Sequence, residues 1–316
     1  MRQMALRFLG LALLMGAISG CEEIGLKSSL VPQARPANLQ TGPKVTEPSA
    51  ESRALARHYQ RIQDDLLTRG LLRRDGGGPD TPFSADDLAR NFETIAFFDE
   101  YSRGGVDSAE GALSRWVAPV RIGVEFGASV PLDQRAQDME AVTAYAARLG
   151  RVTGHPIAPV ENLENKANFH VFIAGKDDGA FVQNRLKQLV PQISATELAL
   201  FRDVPRSFYC LVVSVSDRNS ARGYTRAVAL IRAEHPDLMR LSCIHEELAQ
   251  GLGLPNDSPQ ARPSIFNDDD EFALLTSHDE LLLQLLYDPR LTPGMTAAQA
   301  RPVTRIIARE LMGQTL

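Results

Sequence analysis

The densest group of side chains capable of chemistry lies in one segment, C-I-H-E-E-L-A-Q-G-L-G-L-P-N-D, which begins at Cys243. Its carboxylates and amides are Glu246, Glu247, Gln250, Asn256 and Asp257. Glu246 and Glu247 precede Gln250 by four and three residues, so these three side chains lie on one side of a helix. Such oxygen ligands suit a hard divalent cation, and a carboxylate beside an activated water can act as a general base.

This segment resembles the metzincin signature H-E-x-x-H-x-x-G-x-x-H, in which three histidines hold zinc and the glutamate activates water. The best register keeps the glutamate as Glu247 and the glycine as Gly253. All three histidine positions are changed, to Glu246, Gln250 and Asn256. Gly253 is expected to end the helix and return the following residues towards the same cleft.

His245 precedes Glu246 and so also spells the first half of a zinc motif. A second ligand would have to follow four residues later to share a helix face, and that position is Ala249. Gln250 lies about 140° round the helix from His245, at about 100° per residue. We therefore place His245 beside the site and not among its ligands.

The replaced ligands argue against zinc, because zinc prefers imidazole and thiolate whereas amides offer only a neutral oxygen. We expect no cofactor. An oxygen-ligated divalent cation is the alternative, with Glu246, Gln250, Asn256 and Asp257 as weak candidate ligands. A buried hydrogen-bonded network that preserves an inherited fold is the other interpretation of the same residues.

Two further features near the motif carry charge or imidazole. The run N-D-D-D-E at 267–271 is interpreted as a solvated acidic loop, because charge runs usually face water. Together with Asp257 it is alternatively a weak calcium site, although it lacks the spacing of an EF-hand loop. His278 is a possible distant ligand for a metal in an active enzyme.

Apolar periodicity predicts the elements that position the motif. Helices are predicted at 49–72, 84–101 and 132–149, and strands at 116–126, 169–174, 208–215 and 224–231. After the motif, Ser277 and Glu280 predict a capping box that opens another helix. This order of elements is the one found in metzincins: a strand, a helix, further strands and then a motif-bearing helix. We predict an α+β fold with a metzincin-like (zincin-like) mixed sheet and an N-terminal helical extension.

The segment from Cys243 to Met295 also resembles a bacterial family of domains of unknown function, number twenty-nine twenty-seven. The resemblance rests on E-E-L-A-Q-G-L-G-L-P-N-D, P-S-I-F-N-D-D and H-D-E-L-L-L-Q-L-L-Y-D-P-R-L-T-P-G-M. Within it, Phe266 stands where the Met-turn of metzincins has methionine. The resemblance extends over about 117–311 and implies an envelope location, but no activity.

The N-terminus predicts export and anchoring. A basic start, an apolar run and I-S-G-C at 18–21 resemble a lipoprotein signal, in which Cys21 is lipidated; an ordinary secretory signal is the alternative. We predict a signal peptide at 1–20, a flexible tether at 21–50, a helical extension at 51–105 and the metzincin-like domain at 106–316. The predicted location is the bacterial cell envelope, periplasmic or at the outer membrane.

Two cysteines remain, Cys210 and Cys243. In an exported chain a disulfide is their expected fate, and two buried free thiols are the alternative. The bridge would tie a strand to the start of the motif helix.

A net charge of −5 without long basic clusters argues against nucleic acid as a partner. The expected partners are the membrane, through the lipid at Cys21, and an envelope peptide or protein bound in the inherited cleft. In this hypothesis the domain is a pseudoprotease and not an enzyme. The alternative is an active metal-dependent peptidase with Glu247 as general base, and a purely structural envelope role also fits the sequence.

Overall fold

The structure is a computed structural model that describes residues 45–98, 111–160, 166–216 and 223–314. The predicted signal peptide, Cys21 and most of the predicted tether lie outside these ranges. Within them, no helix combines the length and the apolar character needed to cross a membrane.

Eight α-helices occur in the described ranges: α1 (Ala50–Thr68), α2 (Ala85–Phe97), α3 (Leu132–Thr153), α4 (Gly179–Leu189), α5 (Ala195–Arg202), α6 (Asp237–Gln250), α7 (Ser277–Tyr287) and α8 (Ala297–Leu311). The helices predicted near residues 49, 84 and 132 are present as α1 to α3. Ser84 and Asp87 form a reciprocal capping box that fixes the start of α2. The sequence analysis missed α4 and α5, although Ser194 and Glu197 cap α5 in the same way.

The capping box at the start of α7 lies one residue earlier than predicted. The capping box there is formed by Thr276 and Asp279, not by Ser277 and Glu280. Asp279 also accepts hydrogen bonds from the buried segment at 264–265, and these long-range contacts fix which residue caps the helix.

The sheet contains six strands: β1 (Arg115–Trp116), β2 (Val120–Phe126), β3 (Ile157–Pro159), β4 (Phe169–Ala174), β5 (Cys210–Ser216) and β6 (Gly223–Arg232). Strands β3, β2, β4 and β6 are adjacent in this order and parallel, and β1 pairs in parallel with the start of β6. Strand β5 runs antiparallel to β6. The predicted mixed sheet with a motif-bearing helix is therefore confirmed, while β3 was not predicted.

Both faces of the sheet are buried, which explains its nearly continuous apolar strands. Along β4, Phe169, Val171 and Ile173 join the main core, which also contains residues of α2, α3, α6, α7 and α8. The alternate residues Phe172 and Ala174 face a second cluster built with α4 and α5. Helices on both sides thus hold the strand ends rigidly near the motif helix.

The two helices of the predicted extension pack differently. Helix α2 contributes Leu88, Phe92 and Ile95 to the main core. Helix α1 forms a smaller cluster in which Tyr59 lies with Met239 at the start of α6. Helix α1 therefore covers the side of the molecule where the motif helix begins.

Candidate functional site

Helix α6, which carries the motif, is fixed by its packing against β5, β6 and α3. Ile244, Leu248 and Ala249 are buried in the main core. At the start of the helix, Arg240 Nε donates a 2.6 Å hydrogen bond to Oδ1 of Asp138 on α3, and both side chains are buried. Helix α6 is buried on most of its sides, and of its motif carboxylates only Glu246 is partly exposed.

Two glycines shape the turn that follows α6. The helix ends at Gln250 with Gly251 as its C-cap, earlier than the predicted end at Gly253, and the chain turns through both glycines. Gly253 has φ +128°, and a methyl group there would overlap the carbonyl oxygen of Ser114. A methyl group on Gly251 would overlap the Phe169 ring. Close packing requires glycine at both positions, and the backbone conformation also requires it at Gly253.

The two motif carboxylates lie next to a cysteine of the sheet. Ligand atoms of Cys210, Glu246 and Glu247 are all within 4.8 Å of one another. Glu247 and Gln250 are buried, whereas Glu246 is partly exposed. Strand β5 thus delivers Cys210 to the helix face that carries the glutamates.

Cys210 is bonded to Cys243, as predicted, with their Cα atoms 5.9 Å apart. The bridge ties β5 to α6 one turn before the glutamates. Neither sulfur is then available as a thiolate, so the group lacks the thiolate and imidazole ligands that zinc prefers. The oxidised site does not fit the zinc of the metzincin signature that the sequence resembles, and it offers the two carboxylates of Glu246 and Glu247 instead.

A histidine that the sequence analysis did not single out lies beside the disulfide. His235 Nδ1 is 3.7 Å from Cys243 Sγ, and Tyr59 of α1 packs edge-on against its ring at 4.4 Å between centroids. Burial, and then the charges of nearby arginines, lower the pKa of His235 to about 3, so the ring is neutral. No spacing rule marks this residue, because its neighbours come from distant parts of the chain.

His245 lies outside the carboxylate group, consistent with its spacing. Its ring stacks on Tyr145 of α3 at 3.9 Å between centroids, and its Nδ1 accepts a 3.0 Å hydrogen bond from the backbone N–H of Leu275. Burial lowers the pKa of His245 to about 3. This histidine joins α3, α6 and the segment before α7.

Beyond the glycine turn, Asn256 contacts α2. Its backbone N–H donates to the carbonyl of Ile95, and its side-chain amide donates to the carbonyl of Thr94 at 3.1 Å. Asp257 is partly buried beside it. The structure therefore brings Glu246 and Glu247 together at Cys210, while Asn256 is engaged by another helix.

His278, the possible distant ligand, is fully buried at the start of α7. Its Nε2 lies 3.2 Å from the side-chain nitrogen of Asn91, and Phe83 packs edge-on against its ring. These contacts assign His278 to the packing of α7 on α2.

In the acidic run, Glu271 pairs with Arg73 at 3.1 Å and with Arg262 at 2.6 Å. These arginines lower the pKa of the Glu271 carboxyl. Burial raises the pKa of Asp270, and the neighbouring aspartates add to the effect. Within the run, Glu271 is thus held by arginines, whereas Asp268 and Asp269 are exposed.

Comparison with known proteins identified one family. A family model described as "Protein of unknown function (DUF2927)" matches residues 85–306. No curated protein and no solved structure matches the chain.

Proposed function

Because the chain belongs to the DUF2927 family, whose description names no activity, we propose from the geometry that its metzincin-like domain binds an extended peptide segment without hydrolysing it. The segment is a free peptide or part of an envelope protein. In the same proposal, a lipid at Cys21 anchors the chain to the envelope membrane, periplasmic or outer.

The main observation that supports this proposal is the position of strand β5 in the sheet. Within the described residues it pairs with β6 alone, so it is an edge strand of the sheet. Its outer edge presents main-chain N–H and C=O groups that can pair with another strand. Adding an extended peptide to such an edge is a common mode of peptide recognition, in which the main chain supplies affinity and side-chain contacts supply specificity.

The charge beside β5 indicates the preferred peptide. Cys210 begins the strand, and the carboxylates of Glu246 and Glu247 lie within 4.8 Å of its sulfur. A peptide on the edge of β5 would pass the partly exposed carboxylate of Glu246. Carboxylates form strong charge-assisted hydrogen bonds with lysine, arginine or a free amino terminus, so a basic peptide is favoured.

The lack of hydrolysis follows from the same residues. Glu247 could act as a general base only if a metal or another electrophile lowered the pKa of a bound water. The oxidised site offers two carboxylates, and both nearby cysteine sulfurs are held in the disulfide. The order of strands and helices still supports a relationship to metzincins, with binding retained and chemistry lost.

One observation favours the alternative, a metal-dependent peptidase. The two adjacent carboxylates form a compact oxygen donor pair that a divalent cation could share. In that case Glu247 would be the general base, and the activity would be sensitive to chelators.

The experiment uses the oxidised full chain and fluorescent decapeptides that differ only in charge. We expect basic peptides to bind more tightly than acidic ones, and Glu246→Gln to weaken binding about tenfold or more, because one charge-assisted hydrogen bond is lost. Glu140→Gln is the matched control, because Glu140 lies exposed on α3. Equal binding of both charge classes, or an equal effect of the two variants, would rule out the proposed site.

A further inference from the structure

A cavity of about 290 Å³ lies between α2 and α8, and all of its lining residues belong to these two helices. Its charged lining residues are Asp86, Arg90, Glu93, Arg301, Arg305 and Arg309. Pockets that hold small molecules usually measure about 300–1,000 Å³, so this volume suits one small ligand or one headgroup. The cavity shares no lining residue with β5 or α6 and is therefore separate from the candidate peptide site.

The charge of the lining is mainly positive. Four arginines contribute four positive charges and two carboxylates contribute two negative ones, which leaves an excess of two positive charges. Arg301, Arg305 and Arg309 follow one another at intervals of four residues and therefore share one face of α8. Like charges at this spacing repel one another, so an anion bound beside this face would stabilise it.

The protein neutralises only part of this positive charge. Arg301 Nε donates a 2.8 Å hydrogen bond to the carboxylate of Glu93, and Arg90 pairs with Asp87 on α2. The side chains of the other two arginines on α8 are exposed, and they make no hydrogen bond or ion pair with any residue that the structure describes. Two guanidinium groups at the cavity are thus left for a ligand.

Thr304 adds a further polar group to the lining. The residue is 3% exposed, and its hydroxyl oxygen has no hydrogen-bond partner among the described residues. A buried hydroxyl without a partner is unfavourable, and a ligand in this cavity could supply the missing acceptor. Because arginine side chains only donate hydrogen bonds, the group as a whole suits a ligand that is rich in acceptor oxygens.

We infer that this cavity binds a phosphate monoester, with Arg305 and Arg309 holding the phosphate group and the Thr304 hydroxyl as a further donor. A guanidinium group matches phosphate through two parallel hydrogen bonds. At pH 7 a phosphate monoester carries a charge of about −1.5 to −2, which matches the excess positive charge of the lining better than a singly charged carboxylate or phosphodiester does. The monoester belongs to a soluble phosphorylated compound or to a lipid headgroup, and the recognised group is the same in both.

The test measures the binding of glycerol phosphate to the full chain by isothermal titration calorimetry at constant ionic strength. The chain carries Cys21→Ser, so that no lipid at this residue contributes to binding. Acetate and dimethyl phosphate, each with a single negative charge, are the control ligands. We expect one glycerol phosphate per chain and binding of both control ligands that is at least about tenfold weaker.

Variants then identify the donors. Arg305→Gln and Arg309→Gln should each weaken glycerol phosphate binding about tenfold or more, because each removes a charge-assisted hydrogen bond. Arg57→Gln is the matched control, because it removes the same charge from an exposed position on α1 and should leave the affinity unchanged.

Thr304→Val tests the hydroxyl while nearly keeping the shape of the side chain. It should weaken binding about fivefold or more, because the ligand loses one donor. It should not lower the stability of the ligand-free chain in urea, because the hydroxyl has no partner there. This combination separates a binding role of Thr304 from a purely structural one.

Cosedimentation with vesicles separates the two sources of the phosphate. The vesicles consist of phosphatidylcholine with or without phosphatidic acid, whose headgroup is a phosphate monoester. Binding that requires phosphatidic acid, and that is lost in Arg305→Gln but kept in Arg57→Gln, would identify a lipid ligand. Binding of glycerol phosphate without binding to these vesicles would identify a soluble ligand.

Three results would overturn the inference. The first is that neither glycerol phosphate nor phosphatidic acid vesicles bind. The second is that acetate and dimethyl phosphate bind as tightly as glycerol phosphate, and the third is that Arg57→Gln weakens binding as much as Arg305→Gln and Arg309→Gln do. No peptide is used in these experiments, so failure of the phosphate site and failure of the proposed function are distinguishable.

Discussion

The backbone N–H of Leu275 donates a 3.0 Å hydrogen bond to Nδ1 of His245, one residue before the glutamate pair begins. The imidazole must be neutral to accept this bond, and its stacking on Tyr145 keeps it out of water. His245, which with Glu246 matches the first half of a zinc motif, thus fixes the backbone at Leu275.

Acid should destabilise the protein through two histidines. The pKa values of His235 and His245 are lowered to about 3 in the folded chain, against about 6.5 when unfolded. Between these values the unfolded chain binds more protons, so stability falls as pH falls, by up to about 1.4 kcal/mol per pH unit for each histidine. Urea unfolding between pH 6.5 and 4.5 measures the slope.

His245→Gln should reduce that slope by about half, because one of the two groups is removed. The variant is expected to be less stable than the parent at pH 7, since stacking on Tyr145 is lost. A slope unchanged in both His235→Gln and His245→Gln would show that other groups govern the acid response.

The glycine turn after α6 should tolerate no side chain. Gly253→Ala combines φ +128° with overlap on the Ser114 carbonyl, so we expect a loss of at least about 2 kcal/mol in the free energy of unfolding. Gly154→Ala is the control, because its φ is +65° but open space surrounds its Cα. It should cost only about 1 kcal/mol. Equal losses would mean that backbone conformation alone, and not the close approach, sets the requirement.

The sequence predicts one local feature that the structure contains, the disulfide at the start of the motif helix. The export predicted from the N-terminus led to the expectation of the Cys210–Cys243 bridge, which the structure contains. Pattern reasoning could not find His235 beside Cys243, because Tyr59 of α1 helps to bury it and lies far away in the chain. The apolar periodicity also did not indicate that the side-chain amide of Asn256 donates a hydrogen bond to the backbone carbonyl of Thr94.

Asp279 should be a principal support of the buried segment at 264–266. Its carboxylate accepts hydrogen bonds from the hydroxyl and backbone groups of Ser264, Ile265 and Thr276, at 2.5 to 3.0 Å, and is fully buried. Asp279→Asn replaces one acceptor oxygen by a donor, so we expect a loss of about 3 kcal/mol or more in the free energy of unfolding.

Asp237→Asn is the matched control for that variant, because Asp237 pairs with Arg240 with its own side chain 86% exposed. Arg240 is buried but keeps its hydrogen bond to Asp138, so loss of the exposed Asp237 charge should cost no more than about 1 kcal/mol in the same urea titration. If Asp279→Asn lowers the free energy of unfolding no more than the control variant does, Asp279 is not a support of the 264–266 segment.

Binding without hydrolysis is tested most directly by measuring metal content and peptide cleavage on the same oxidised full chain, purified without chelators. Elemental analysis should find zinc far below one per chain. Mass spectrometry should recover bound basic peptides intact, with or without added chelator, because the oxidised site lacks the ligands of a hydrolytic zinc. Zinc near one per chain, with peptide cleavage that disappears in Glu247→Gln, would contradict this result and identify an active metallopeptidase.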